Sequence, residues 1–187
     1  MSERSLATLM GLVTCYSPSG LEGPAVEFLV NHMRALGYQR VFVDEIGNAV
    51  GMIGTGPRQI VLLGHIDTVP GEIPPRVEGD ILYGRGAVDA KGPLAAFVDA
   101  AAAVGPVDGW QLVVIGAIDE ERESVGARYV TEQYRPTMSL IGEPSRWDRI
   151  TVGYKGSAWA QINVRRRMAH SAGEMQSASE AAVGIWN

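Results

Sequence analysis

The chain has 187 residues, enough for one domain with a real core, or for one domain and the start of another. Hydrophobic residues make up 46% and charged residues 20%, the balance of a soluble globular protein. A formal net charge of −5 argues against nucleic acid as the main partner, no apolar run approaches a membrane span, and the single cysteine, Cys15, excludes an internal disulfide.

The N-terminus lacks a basic region followed by a continuous apolar core, so no signal peptide is read and a cytoplasmic protein is expected. Leu6, Leu9, Met10 and Val13 recur at helical spacing and predict a first helix that stops by Tyr16-Ser17-Pro18. Cys15 lies in this pattern near Leu12 and reads as a buried, inert thiol. Ser19-Gly20-Leu21-Glu22 then has the Ser-x-x-Glu form of a capping box. Behind it, Val26, Leu29, Val30, Met33 and Leu36 form one helical stripe, closed by Gly37. His32 sits beside that stripe and reads as a surface or half-buried helix histidine.

Residues 40–44 and 48–53 predict two strands, paired as a hairpin or as neighbours. Ile60-Val61-Leu62-Leu63 is an apolar run of the kind a buried strand makes, and Gly64, His65 and Asp67 follow it. Residues 70–79 are rich in Pro and Gly and read as a loop with short extended pieces; Ile81-Leu82-Tyr83 is one more short strand. Asp89 follows the turn Gly84-Arg85-Gly86, and Lys91-Gly92-Pro93 opens an Ala-rich helix to Val104, with Pro93 suited to its first turn. Residues 110–117 are a second buried strand, ending at Ile118-Asp119-Glu120-Glu121. A helix over 125–133 and a third strand over 138–141, ending at Gly142-Glu143-Pro144, complete the series. Strand, helix, strand, helix, strand argues for a layered αβα domain of the α/β class with a mostly parallel central sheet. Near Arg149 the pattern changes: 150–152 and 158–164 alternate like strands exposed on one face, and 177–187 reads as the start of another helix.

His65, Asp67, Asp89, Glu120, Glu121 and Glu143 each fall at or just after the C-terminal end of a predicted strand, the side of an α/β sheet where ligands gather. Any one of these acids alone reads more simply as a helix N-cap or first-turn residue. As a set they differ. Five carboxylates around one imidazole repel one another unless a cation is present. A mixed imidazole and carboxylate set suits zinc, cobalt or manganese better than calcium.

Four motifs occur in order: Gly64-His65-Ile66-Asp67-Thr68-Val69-Pro70, Gly84-Arg85-Gly86-Ala87-Val88-Asp89-Ala90-Lys91-Gly92, Asp119-Glu120-Glu121 and Gly142-Glu143-Pro144. Together they resemble the co-catalytic di-zinc amidohydrolases of the M20 peptidase family, which include aminoacylases, acetylornithine deacetylases and succinyl-diaminopimelate desuccinylases. Gly71-Glu72-Ile73-Pro74, Ile141-Gly142-Glu143-Pro144-Ser145 and Gly153-Tyr154-Lys155-Gly156 look closest to members that release lysine or ornithine from an acidic amino-group carrier protein.

The resemblance implies two divalent metal ions, Zn2+ or Co2+. His65 and Glu143 would hold one, Glu121 the other, and Asp89 would bridge them. Asp67 would hydrogen-bond the far nitrogen of His65 and fix its orientation. Glu120 would be the general base, taking a proton from the attacking water and giving it to the leaving amine. His170, in Met168-Ala169-His170-Ser171-Ala172, would reach the active site of a partner subunit in a homodimer and stabilise the oxyanion. The family usually has Gly where this chain has Arg166, inside Arg165-Arg166-Arg167. Such a run is ordinarily a solvated face, and an acidic carrier would give it another use.

The resemblance also implies residues 1–153 as the N-terminal part of a catalytic domain and 154–187 as the beginning of a smaller α+β lid or dimerisation domain. Family members are about twice as long and carry a further metal-binding histidine near the C-terminus, so an N-terminal fragment with weak or absent turnover is expected. The expected activity is amide hydrolysis on an N-acylated amino acid or a lysine- or ornithine-loaded carrier, with neither nucleic acid nor membrane as partner. A related deacylase or aminopeptidase, and a metal-binding module without turnover, are the competing readings.

Overall fold

The computed structural model describes residues 3–146, 148–153, 155, 156, 158–167 and 176–186. The chain divides into two compact units, Met1–Arg146 and Trp147–Asn187. The first unit carries helices α1 (Glu3–Thr14), α2 (Gly23–Ala35), α3 (Lys91–Val104) and α4 (Val125–Gln133). Its strands are β1 (Arg40–Val43), β2 (Ala49–Ile53), β3 (Arg58–His65), β4 (Arg76–Glu78), β5 (Ile81–Tyr83), β6 (Trp110–Ala117) and β7 (Met138–Gly142).

Five strands form one sheet in the order β1-β2-β6-β3-β7. β3 lies parallel to both β6 and β7, while β1, β2 and β6 pair antiparallel. The β3-to-β6 and β6-to-β7 connections run through α3 and α4, the crossovers that parallel strands require. β4 and β5 pair as a separate two-stranded ribbon.

The period-2 alternation of strands sorts the core into two halves. Ala49, Ile53, Leu112 and Val114 face α1, α2 and α3, and pack with Leu12, Leu29, Met33, Leu94 and Val98. Val50, Met52, Val113 and Ile115 face the other way and pack with Val61 and with Val130 of α4. This is an αβα sandwich. Gly116 permits a close approach of sheet to helix: a Cβ there would lie 2.8 Å from the Leu29 side chain.

Lys91 opens α3 fully buried, and its Nζ donates to the main-chain oxygens of Leu12, 3.0 Å away, and Cys15, 2.7 Å away. Those carbonyls lie at and just past the C-terminal end of α1, where backbone oxygens run out of intrahelical partners. Burial pushes the Lys91 pKa down to about 8, against the opposing pull of the Cys15 thiolate and Asp67. Cys15 is half-buried, and burial raises its thiol pKa, so little of it is the reactive thiolate. His32 is half-buried on α2, bonded to the Thr8 hydroxyl at 2.8 Å and stacked on Phe28, a structural setting.

Two local expectations are corrected. Ser19 does not cap α2: Glu22 is the N-cap residue and makes no side-chain capping bond. The Ser19 hydroxyl donates instead to Asp67, and Glu22 accepts from the N–H groups of Gly20 and Asp119. Residues 150–152 and 158–164 form no strand among the described residues. Alternation alone does not make a strand, because the ladder needs a partner segment to bond. In the second unit, α5 (Ala178–Trp186) does begin with a capping box: Glu180 N–H donates to Ser177 Oγ and Ser177 N–H to Glu180 Oε2.

Candidate metal centre

The parallel registers bring the motif residues together. Gly64 pairs with Gly116 on one side and Gly142 on the other, so β6, β3 and β7 end level. His65 closes β3, Asp119-Glu120-Glu121 follow β6, and Glu143 follows β7. Asp89 arrives on the loop before α3. One donor atom each from His65, Asp89 and Glu143 lies within 4.8 Å of the others, a group that could hold a metal ion. His65 is buried, Glu143 half-buried and Asp89 exposed, so the group opens from the sheet edge toward solvent.

The His65 ring is oriented from behind. Its Nδ1 lies 3.0 Å from the main-chain oxygen of Asp67 and 3.5 Å from the Asp67 carboxylate. The carbonyl takes the hydrogen bond, with the carboxylate at ion-pair range. Nε2 therefore points forward, 3.2 Å from Asp89 Oδ1 and 3.9 Å from Glu120 Oε2. Burial would lower the His65 pKa, but Asp67, Glu143 and Glu120 outweigh it and raise it to about 9. Once Nε2 loses its proton, its lone pair faces the carboxylates, the arrangement a metal ligand needs.

Burial raises the pKa of Glu143, and the neighbouring Glu120, Asp89 and Glu121 push it the same way against the pull of His65. Burial likewise raises Glu121, with Asp89, Glu120 and Asp67 adding to the shift. An imidazole and carboxylates with donor atoms this close are a donor set that fits a divalent transition metal. Glu121 stands on the exposed rim, outside the tight group of three but within electrostatic reach of His65 and Asp89.

Asp67 is fully buried, yet its pKa is lowered. Burial alone would raise it; the nearby His65 ring and hydrogen bonds from Ser19 and the N–H groups of Glu120 and Glu121 reverse the direction. Asp119 has φ +62, a left-handed turn that swings the chain so that Glu120 and Glu121 N–H both meet Asp67. Arg122 lies 2.6 Å from Asp119 Oδ1 and pairs with it. The sequence places Asp119 in a motif without a role of its own, and offers no sign of Ser19 as a support of the site. Ser19 is 48 residues from Asp67, and no local spacing encodes that contact.

Beside Asp89 and Glu121 opens a cleft of about 460 Å³, lined also by Thr68, Tyr83, Arg76 and Arg85. Arg85 Nε donates to the Gly71 oxygen at 2.6 Å, and Arg76 stacks over Tyr83 at 4.1 Å while pairing with Glu78. His170 and the motif around it lie outside the described residues. Among those described, no helix is long and apolar enough to cross a membrane.

Fold and site together define a class: an αβα protein whose level strand ends gather an imidazole and several carboxylates into a metal-binding group. The chain belongs to peptidase family M20/M25/M40, whose model matches residues 61–184. Among curated relatives, it is 47% identical over 172 residues to a LysW-lysine hydrolase of Deinococcus radiodurans, covering 90% of this chain and 47% of that protein. It is 46% identical over 162 residues to a putative LysW-lysine/LysW-ornithine hydrolase of Thermococcus kodakarensis, covering 86% of this chain and 45% of that one. The chain thus spans about half the length of these relatives. An M20 family metallo-carboxypeptidase from Sulfolobus solfataricus has the same fold, with TM-score 0.63 and 21% identity over 76% of this chain and 37% of its own.

Proposed function

We propose that this protein is a metal-dependent hydrolase that cleaves an amide bond to release lysine or ornithine from an acidic carrier protein. The observation that carries the reading is the meeting of His65, Asp89 and Glu143 donor atoms within 4.8 Å, with Glu120 Oε2 beside them, 3.9 Å from His65 Nε2. The names of the Deinococcus and Thermococcus relatives support the substrate class.

In this reading His65 and Glu143 would hold one divalent ion, zinc or cobalt, Glu121 would hold a second, and Asp89 would serve both. Bound there, they supply Lewis-acid polarisation of the scissile carbonyl and a lowered pKa for the attacking water. The rest falls to the chain. Asp67 keeps His65 turned with Nε2 forward. Glu120 binds no ion; it accepts the proton of the attacking water and delivers it to the leaving amine, so that a free amino acid departs. His170 stabilises the oxyanion from a partner subunit of a homodimer, and the protein works in the cytoplasm, where Cys15 stays reduced.

Assaying a carrier–lysine conjugate, acetylornithine and succinyl-diaminopimelate side by side with the full gene product tests the substrate. The carrier conjugate is expected to give the highest kcat/KM. Faster turnover of acetylornithine or succinyl-diaminopimelate would make the protein a small-molecule deacylase with the same machinery. Failure to hydrolyse any of the three with zinc or cobalt present would overturn the proposal.

A further inference from the structure

Residues 17–22 cross the ends of β3 and β6 as a strap. Ser17 donates its hydroxyl to the Ile66 oxygen at 2.8 Å. Thr68 N–H donates to Ser17 O, and Ser19 N–H to Thr68 O, so the strap is bonded along the segment that carries Asp67. At its far end, one Glu22 oxygen accepts from Gly20 N–H and from Asp119 N–H, across 97 residues of sequence. The strap therefore holds two of the segments that supply the site, those following β3 and β6.

Its most direct contact is the Ser19 hydroxyl, 2.6 Å from Asp67 Oδ2. That oxygen also accepts from Glu121 N–H at 3.1 Å, while Oδ1 accepts from Glu120 N–H at 3.0 Å and lies 3.5 Å from His65 Nδ1. One carboxylate thus links the imidazole, the backbone of the proposed base and the backbone of a proposed ligand. The Ser19 bond is the shortest of these, and hydroxyl-to-carboxylate bonds of that length are about twice as strong as neutral ones. It is also the only one among them supplied by a residue outside the motif set. Without it, Oδ2 keeps only the longer bond from Glu121 N–H, and the carboxylate is held less firmly against turning about its Cβ–Cγ bond.

We infer that Ser19 is a positioning residue of the metal site: by locking the Asp67 carboxylate, it sets the aim of His65 and the placement of Glu120 and Glu121. The inference rests on the metal-hydrolase reading but not on any particular substrate. Loss of such an outer support typically weakens metal binding by about 10–100-fold.

The test is the zinc affinity of the 187-residue chain, measured by competition with a chelator for wild type, S19A, S19C and S19T. S19A is expected to weaken binding at least tenfold. S19T, which keeps the hydroxyl, stays within about threefold of wild type, and S19C, a weak donor, falls between. Far-UV circular dichroism of each variant separates this from unfolding; should S19A unfold, the S19C and S19T pair still decides. In the full gene product, S19A lowers kcat with little change in KM, and S19T restores it. Wild-type zinc affinity in a folded S19A or S19C overturns the inference, as does equal weakening in S19A and S19T. A wild-type chain that binds no zinc overturns the metal reading, and this inference with it. Carrier substrate left uncleaved by a zinc-loaded wild type overturns the substrate assignment alone.

Discussion

Replacing Glu120 with glutamine is expected to cut amide hydrolysis by the full gene product by about 10²–10⁴-fold while changing zinc affinity by less than about threefold. The reason is geometric. Glu120 is half-buried, its N–H is fixed on Asp67, and its Oε2 reaches to 3.9 Å from His65 Nε2 without joining the three-residue metal group. Glutamine keeps the size and the backbone bond, but its amide can neither take up nor release the proton. The loss should appear in kcat more than in KM, since the change removes proton transfer rather than substrate binding. Activity within about tenfold of wild type would move the base to another carboxylate, with Glu121 the nearest candidate in sequence.

The second large effect is on stability. Zinc at 100 times its dissociation constant stabilises by about 2.7 kcal/mol, which for a chain of this size raises Tm by about 5–10 °C. Asp89→Asn should abolish most of that rise, since an amide there neither balances the cation nor bridges two. The rise should also depend on pH, through His65. Its folded pKa is raised to about 9, against 6.5 in the unfolded chain. Its contribution to the metal-free fold is therefore complete below pH 6.5 and is lost as pH rises to 9. Zinc needs the deprotonated ring, so its affinity strengthens over the same interval. The gap in Tm between zinc-loaded and zinc-free protein should widen steadily from pH 6.5 to 9. A gap that is flat or narrows over that range would show that His65 is not a ligand.

Much of this was legible in the sequence because the signals are local. The run 110–117 alternates between two apolar faces and is bounded by turn residues, and it is β6 to the residue. Lys91-Gly92-Pro93 followed by alanines gives α3 its start and Gly105 its end. The acids at strand ends were visible because a parallel sheet collects the ends of its strands at one edge, wherever the strands lie in the chain. What sequence could not show is direction. Ser19-Gly20-Leu21-Glu22 carries the donors and acceptors of a capping box, but Ser19 turns to Asp67 and Glu22 to Asp119. The same four-residue pattern at Ser177 and Glu180 does close on itself. The buried Asp67 carboxylate, an acceptor, and the buried Asp119 N–H, a donor, compete for the first pair; Ser177 and Glu180 sit at an exposed helix end and bond each other. The alternation at 150–152 and 158–164 does not make strands for a related reason. It reports which side chains share a face, and says nothing of whether another segment is there to pair.

The central claim is that His65, Asp89, Glu143 and Glu121 share divalent cations at the level ends of β6, β3 and β7. Crystals of the zinc-loaded protein, measured on both sides of the zinc absorption edge, test it directly. The account predicts one anomalous peak among His65 Nε2, Asp89 and Glu143, and a second on the Glu121 side of Asp89. Zinc peaks elsewhere, or none within about 3 Å of those donor atoms, would contradict it.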